Sequence, residues 1–126
     1  MNIPNLGELE SAVMEHLWAV GQGDAKSVHR ALKPARPISL NTIQSTVERL
    51  ARKGLLVRHK VSRAYVYVPT LSREDWAARV INEVLGDAPG EAVLAAFVDY
   101  AAAIDTDSLD RLEQLVAARK RREAGE

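Results

Sequence analysis

The sequence predicts a mainly α-helical protein with one small β-hairpin, and three observations predict it. Apolar residues recur at helical spacing in three successive segments before Gly54. From Leu55 the pattern changes to β-branched and aromatic residues in two short runs that stop at Pro69. Beyond Ser72 the helical spacing returns and continues towards the end of the 126-residue chain.

The first helix sets Leu6, Leu9, Val13, Leu17 and Val20 on one stripe, with Asn5 placed to cap it and Glu8 as the capping-box partner three residues on. Gly21-Gln22-Gly23 reads as a loop break. Asp24 caps a short second helix through Lys33, which turns Ala25, Val28 and Leu32 inward. Pro34 and Pro37 bracket a turn. A third helix follows, with Ser39 as N-cap and Leu40, Ile43, Val47 and Leu50 on its apolar face, ending near Lys53-Gly54, where glycine suits a left-handed terminus. Leu56 to Val61 and Tyr65 to Val68, separated by Ser62-Arg63-Ala64, form the hairpin, and Tyr65 and Tyr67 alternate to one face that packs on the helices. Ser72 and Asp75 make a capping pair for a fourth helix carrying Trp76, Val80, Ile81, Val84 and Leu85. Gly86 to Gly90 separates it from a fifth helix with Val93, Leu94, Phe97 and Val98, and a last helix, capped by Asp107 or Ser108, shows Leu109, Leu112 and Val116 at seam spacing.

Composition narrows the function. Hydrophobic residues at 47 % and charged residues at 27 % describe a folded chain and not a disordered one. The absence of cysteine excludes disulfides, zinc fingers and cysteine nucleophiles. His16, His29 and His59 share no ligand spacing, and no nucleophile-with-base pair or glycine-rich phosphate loop can be assembled. No catalytic residue, metal or cofactor is therefore expected. Met1-Asn2-Ile3-Pro4-Asn5 lacks the basic, apolar start of a signal peptide, and no apolar run reaches the roughly 18 residues of a membrane span, so a cytoplasmic protein with no membrane partner is expected.

The formal net charge of zero hides a division. Residues 1–71 carry ten Lys or Arg against five acids, a net of +5, and residues 72–126 a net of −5. A basic front half suits a polyanion. Three helices followed by a two-stranded wing are the order of a winged helix-turn-helix, whose third helix enters the major groove. Asn41, Thr42, Gln44, Ser45 and Arg49 lie off the apolar stripe of that helix, and such side chains can pair with base edges or touch thymine methyls. Arg58, Lys60 and Arg63 cluster around the hairpin turn, where phosphates are the natural partners.

Leu6-Gly7-Glu8-Leu9-Glu10, Val13 to Trp18, Asn41-Thr42-Ile43, Arg49 to Leu56 and Arg63 to Pro69 resemble the penicillinase repressor (BlaI/MecI/CopY) family, strongly from residue 6 to about 85 and loosely beyond. The resemblance implies a homodimeric repressor on a palindromic double-stranded DNA operator, controlling genes such as those of β-lactam resistance or metal homeostasis. It places Asn41, Thr42, Ser45 and Arg49 on the recognition helix and Arg63 in the wing. Gln44 stands where the family usually has Met, Thr46 replaces a Val, and Ser62 stands where a wing glycine is common. Members released by a sensor-triggered protease are cut at an Asn-Phe bond, where this chain has Ala96-Phe97, and the cysteine motif of copper-responsive members is absent. An upstream sensor or protease stays unassigned.

The expected organisation is a DNA-binding domain over 1–71 and a helical dimerisation region over 72–126. The tail holds more apolar residues than two or three helices can cover, so Trp76, Val80, Val84, Leu94, Phe97, Leu109, Leu112 and Val116 are expected to bury against a second copy. The alternative is a winged-helix module that binds a partner protein and not DNA.

Overall fold

The computed structural model describes residues 6–125, so the cap expected at Asn5 lies outside the described residues. In chain order the elements are α1 (Glu8–Val20), β1 (Gly23–Asp24), α2 (Ala25–Leu32), α3 (Leu40–Arg52), β2 (Leu56–Val61), β3 (Ala64–Pro69), α4 (Arg73–Leu85), α5 (Glu91–Ile104) and α6 (Ser108–Glu123). The chain divides into two compact units, one ending at Asn82 and the other beginning at Glu83, so the division falls within α4.

The first unit is built around one apolar core. Val13, Met14 and Leu17 of α1, Val28 of α2, Ile43, Val47 and Leu50 of α3, and Leu56 and Tyr67 of the hairpin close on one another, with Trp18, Leu32 and Trp76 packed around them. Val20, expected on the α1 stripe, is 56 % exposed, because the stripe drifts off the core at the last turn and Met14 takes the inward position. At the start of α1 the N-cap position is Gly7, and Glu10 Oε1 accepts its N–H at 3.0 Å. Asp24 caps α2 by accepting the Ser27 N–H at 2.7 Å, Ser39 caps α3 by accepting that of Thr42, and Ser72 accepts that of Asp75 before α4. Gly54 ends α3 with φ +84°, as its position required.

The glycine-rich loop after α1 is more than a break. Gly23 and Asp24 pair antiparallel with Tyr67 and Val66, giving a three-stranded sheet in the order β1-β3-β2. A Cβ at Gly23 would sit 2.8 Å from Ser27 Oγ and 3.4 Å from Leu17 Cδ2, so the strand reaches the sheet only without a side chain. Two residues are too few to show an alternating pattern, which is why the strand left no signal. The hairpin loop is also shorter than expected. Val61 pairs with Ala64, leaving Ser62 and Arg63 as a two-residue turn with Ser62 at φ +58°.

The second unit consists of the end of α4 with α5 and α6, of which α5 and α6 pack together. Neither α5 nor α6 contains a buried residue. No described helix is long and apolar enough to cross a membrane.

Candidate nucleic-acid interface

The third helix owes its orientation to its own amphipathicity. Ile43, Thr46, Val47 and Leu50 face the core, which turns Asn41, Thr42, Ser45 and Arg49 outward and leaves Gln44 half-buried. Thr46 is sealed in the core, and its hydroxyl is accommodated there by donating to the Thr42 carbonyl at 2.8 Å. The Ser39 and Thr42 hydroxyls lie 2.9 Å apart, and Gln44 Nε2 donates to Glu48 Oε1 at 3.1 Å. His29 Nε2 donates to the Ile38 carbonyl at 2.7 Å, fixing the turn that delivers the chain into α3.

Arg49 is placed differently from the other outward polar residues of α3. Its Nε donates to Glu10 Oε2 at 3.3 Å, and Lys53 Nζ donates to the same carboxylate at 2.8 Å. Glu10 is buried, whereas the cations remain nearly half exposed. Burial by itself raises the Glu10 carboxyl pKa, but the hydrogen bond from Lys53, the Gly7 N–H, the Lys53 charge and the Arg49 bond outweigh it and hold the group below the ordinary value. The clamp joins the start of α1 to the last turns of α3. Nothing in the amphipathic pattern marks Glu10, because a carboxylate in a first turn is explained by the helix dipole alone.

The wing presents its cations on one face. The register sets Arg58 opposite Tyr67 and Lys60 opposite Tyr65, so these four share a face of the hairpin, with Arg63 at the turn. The Arg58 guanidinium carbon lies 4.3 Å above the centre of the Tyr65 ring, which holds the side chain over the ribbon. The expectation that both tyrosines pack on the helices holds for Tyr67, at 0 % exposure, and fails for Tyr65, at 40 %. The hairpin extends past the helical core, and its outer half can be covered only by its own residues.

The residues predicted for a dimer contact separate into two groups. Trp76 packs against the core of the first unit and Val80 is buried, so both are covered within the chain itself. Val84, Leu94, Phe97, Leu109 and Val116 are exposed, and Leu112 is half-buried in a groove shared with Val98, Leu109 and Val116. Among the described residues no cluster of His, Cys, Asp or Glu could hold a metal ion.

Three helices, a three-stranded sheet with a basic wing and an outward polar face on the third helix define a winged-helix DNA-binding protein. The penicillinase repressor family model matches residues 6–118, and the chain belongs to that family. It is 32 % identical to the transcriptional regulator BlaI of Mycobacterium tuberculosis over 114 residues, 86 % of this chain and 83 % of that protein. It is also 32 % identical to the penicillinase repressor of Bacillus licheniformis over 74 residues, 59 % of this chain and 58 % of that one. The solution structure of the DNA-binding domain of the repressor BlaI matches with 33 % identity and a TM-score of 0.52, covering 60 % of this chain and 93 % of that domain. The family is one of transcriptional repressors and not of enzymes, and this chain is a DNA-binding transcriptional repressor.

Proposed function

We propose that the repressor acts as a cytoplasmic homodimer on a palindromic operator, each protomer laying α3 in the major groove and its wing along the adjacent phosphates. The observation that carries this reading is the outward row of Asn41, Thr42 and Ser45 on α3 beside the basic face of Arg58, Lys60 and Arg63. Arg49 joins the reading row by exchanging Glu10 for DNA, and Gln44 by exchanging Glu48. The exposed apolar side chains of α5 and α6 support the second copy, since a repressor with twofold half-sites needs a twofold protein.

The test couples sedimentation with mobility shifts on the chain's own promoter region. A dimer at micromolar concentration is expected, with operator affinity falling at a log–log salt slope of about −9 if about ten phosphates are neutralised. Gln44→Ala should weaken the operator by about 1–3 kcal/mol and relax discrimination at one base pair. Lys60→Ala should weaken all sequences alike. A monomer indifferent to DNA in dilute salt would assign the fold to protein binding instead.

A further inference from the structure

From Ala25 to Ser72 Glu48 is the one acidic residue, in a stretch that carries ten Lys or Arg. It follows Asn41 by seven residues and Ser45 by three, so the three share the side of α3 that is turned away from the core. Arg52 and Arg58 line a cleft of about 560 Å³ together with it. Even so, among the described residues Glu48 enters no ion pair. Arg58 lies over the Tyr65 ring, and the Glu48 carboxylate accepts instead from Gln44 Nε2 at 3.1 Å.

A negative charge on a surface that meets phosphates weakens every complex, so general attraction to DNA gives no reason for it. A bond between side chains one helical turn apart adds little to a helix, so Gln44 gives only a weak one. What distinguishes a carboxylate from the Asn, Gln, Ser, Thr and Arg side chains around it is that it accepts hydrogen bonds and donates none. In the major groove guanine shows two acceptors and thymine one, all of which a carboxylate repels. Adenine shows a donor beside an acceptor, and cytosine a donor alone. Cytosine is therefore the base that a carboxylate favours, whereas the amide of Gln44, which donates and accepts, matches adenine. When Gln44 turns to its base, the half-buried Glu48 loses its donor and requires another.

We propose that Glu48 is a specificity-determining residue of the repressor, its carboxylate accepting from the exposed amino group of a cytosine in each half-site. This role rests on the DNA reading and adds to it a side chain that selects by exclusion. The charge lowers affinity for duplex of any sequence, and a cytosine amino group offsets the loss. With α3 laid along the groove, the four residues from Gln44 to Glu48 advance about 6 Å, against about 3.4 Å for each base step. The cytosine therefore lies within two steps of the base that Gln44 reads.

The experiment uses the full chain, operator from its own promoter region with each base pair replaced in turn, and a duplex of arbitrary sequence. Glu48→Ala removes the carboxylate, and Glu48→Gln removes only its charge, leaving an acceptor for Gln44 and a nearly unchanged shape should the alanine variant fail to fold. For wild type, replacing the C·G pair that Glu48 reads should weaken binding roughly tenfold. In Glu48→Ala that penalty should vanish, while arbitrary duplex is bound more tightly at an unchanged salt slope, since no phosphate contact is gained. Glu48→Gln should show the same tightening and a reduced penalty. Gln44→Ala is the comparison and should relax a different base pair. If both Glu48 variants bind operator and arbitrary duplex more tightly by one common factor, with every base preference kept, Glu48 acts by charge alone: its reading role is wrong and the DNA reading stands. Relaxation only at the pair that Gln44→Ala relaxes, or at a pair whose favoured base is not cytosine, overturns the role equally. Wild-type protein indifferent to both duplexes in dilute salt overturns the DNA reading itself, and the role of Glu48 with it.

Discussion

In the unit that ends at Asn82, Val13, Leu17, Val28, Ile43, Val47 and Tyr67 have no solvent exposure, whereas α5 carries Val93, Leu94, Phe97 and Val98 and buries none of them. Both regions are amphipathic, so hydrophobic content does not distinguish them. What differs is the number of surfaces each offers itself. Three helices and a sheet can enclose a side chain from all sides, while a pair of helices always leaves one face open. The first unit is thus complete by its own contacts, and the tail has apolar surface in reserve for association, which is how the proposed dimer would use it.

The largest effect expected from this difference is on folding of the first unit. Leu17→Ala removes a fully buried side chain between α1 and the rest of the core, and should lower unfolding stability by about 2–5 kcal/mol in a denaturant titration. Val116→Ala, at a half-exposed tail position, should change the same unfolding curve little when measured on dilute protein. Equal losses at the two positions would show that the tail is a core and not a docking surface.

Phe97→Ala is expected to act on association instead. The ring is 41 % exposed in the single chain, and a large aromatic side chain at the centre of an interface contributes about 2 kcal/mol or more. Sedimentation across concentration should show the dimer dissociating at roughly thirtyfold higher protein, with the tryptophan signal of the first unit unchanged. Dissociation unaltered by Phe97→Ala would place the twofold contact elsewhere.

The sequence carried the helices of both units and missed contacts that the first unit makes over long range. Its helices, their caps at Asp24, Ser39 and Ser72, and the hairpin were legible because each depends on neighbours within a few residues. The two-residue strand β1, the clamp of Glu10 on Arg49 and Lys53, and the buried hydroxyl of Tyr67 were not, because each is made by residues far apart in the chain. Arg49 shows the difference within one side chain. Its exposed position on α3 followed from periodicity, but its carboxylate partner lies 39 residues earlier and left no local trace. The same limit applied to Trp76, grouped by spacing with the tail yet packed on the winged core.

Glu10→Gln sharpens the comparison inside the first unit. The substitution keeps an acceptor for the Gly7 N–H but loses the charge that holds Arg49 and Lys53, and because both cations regain water the loss should be about 1–2 kcal/mol. The pH dependence follows from the lowered pKa of Glu10. The unfolded chain binds this proton more readily than the folded one, so the clamp stabilises fully above the ordinary value of 4.5 and is lost as pH falls through the lower folded value. Wild type should therefore lose stability to the variant's level in acid, and the two curves should separate again above pH 4.5. Parallel curves over that range would mean that the carboxylate carries no linked proton.

The smallest effect concerns the helix ends. Ser39 Oγ accepts the Thr42 N–H at 3.2 Å and opens α3, whereas Asp107, at the start of α6, makes no side-chain cap bond. Ser39→Ala should cost about 1 kcal/mol of stability in the first unit, as an N-cap does when its acceptor is removed. Because the Ser39 hydroxyl also holds that of Thr42, the same change should free Thr42 to turn and blur base discrimination. Asp107→Ala should have a smaller effect on helix content, since only its charge near the α6 terminus is lost. Hydrogen exchange on the first-turn amides of the two helices measures this directly: faster exchange is expected at Thr42 in Ser39→Ala and little change at the start of α6 in Asp107→Ala. The reverse order would mean that α6, and not α3, depends on a local cap.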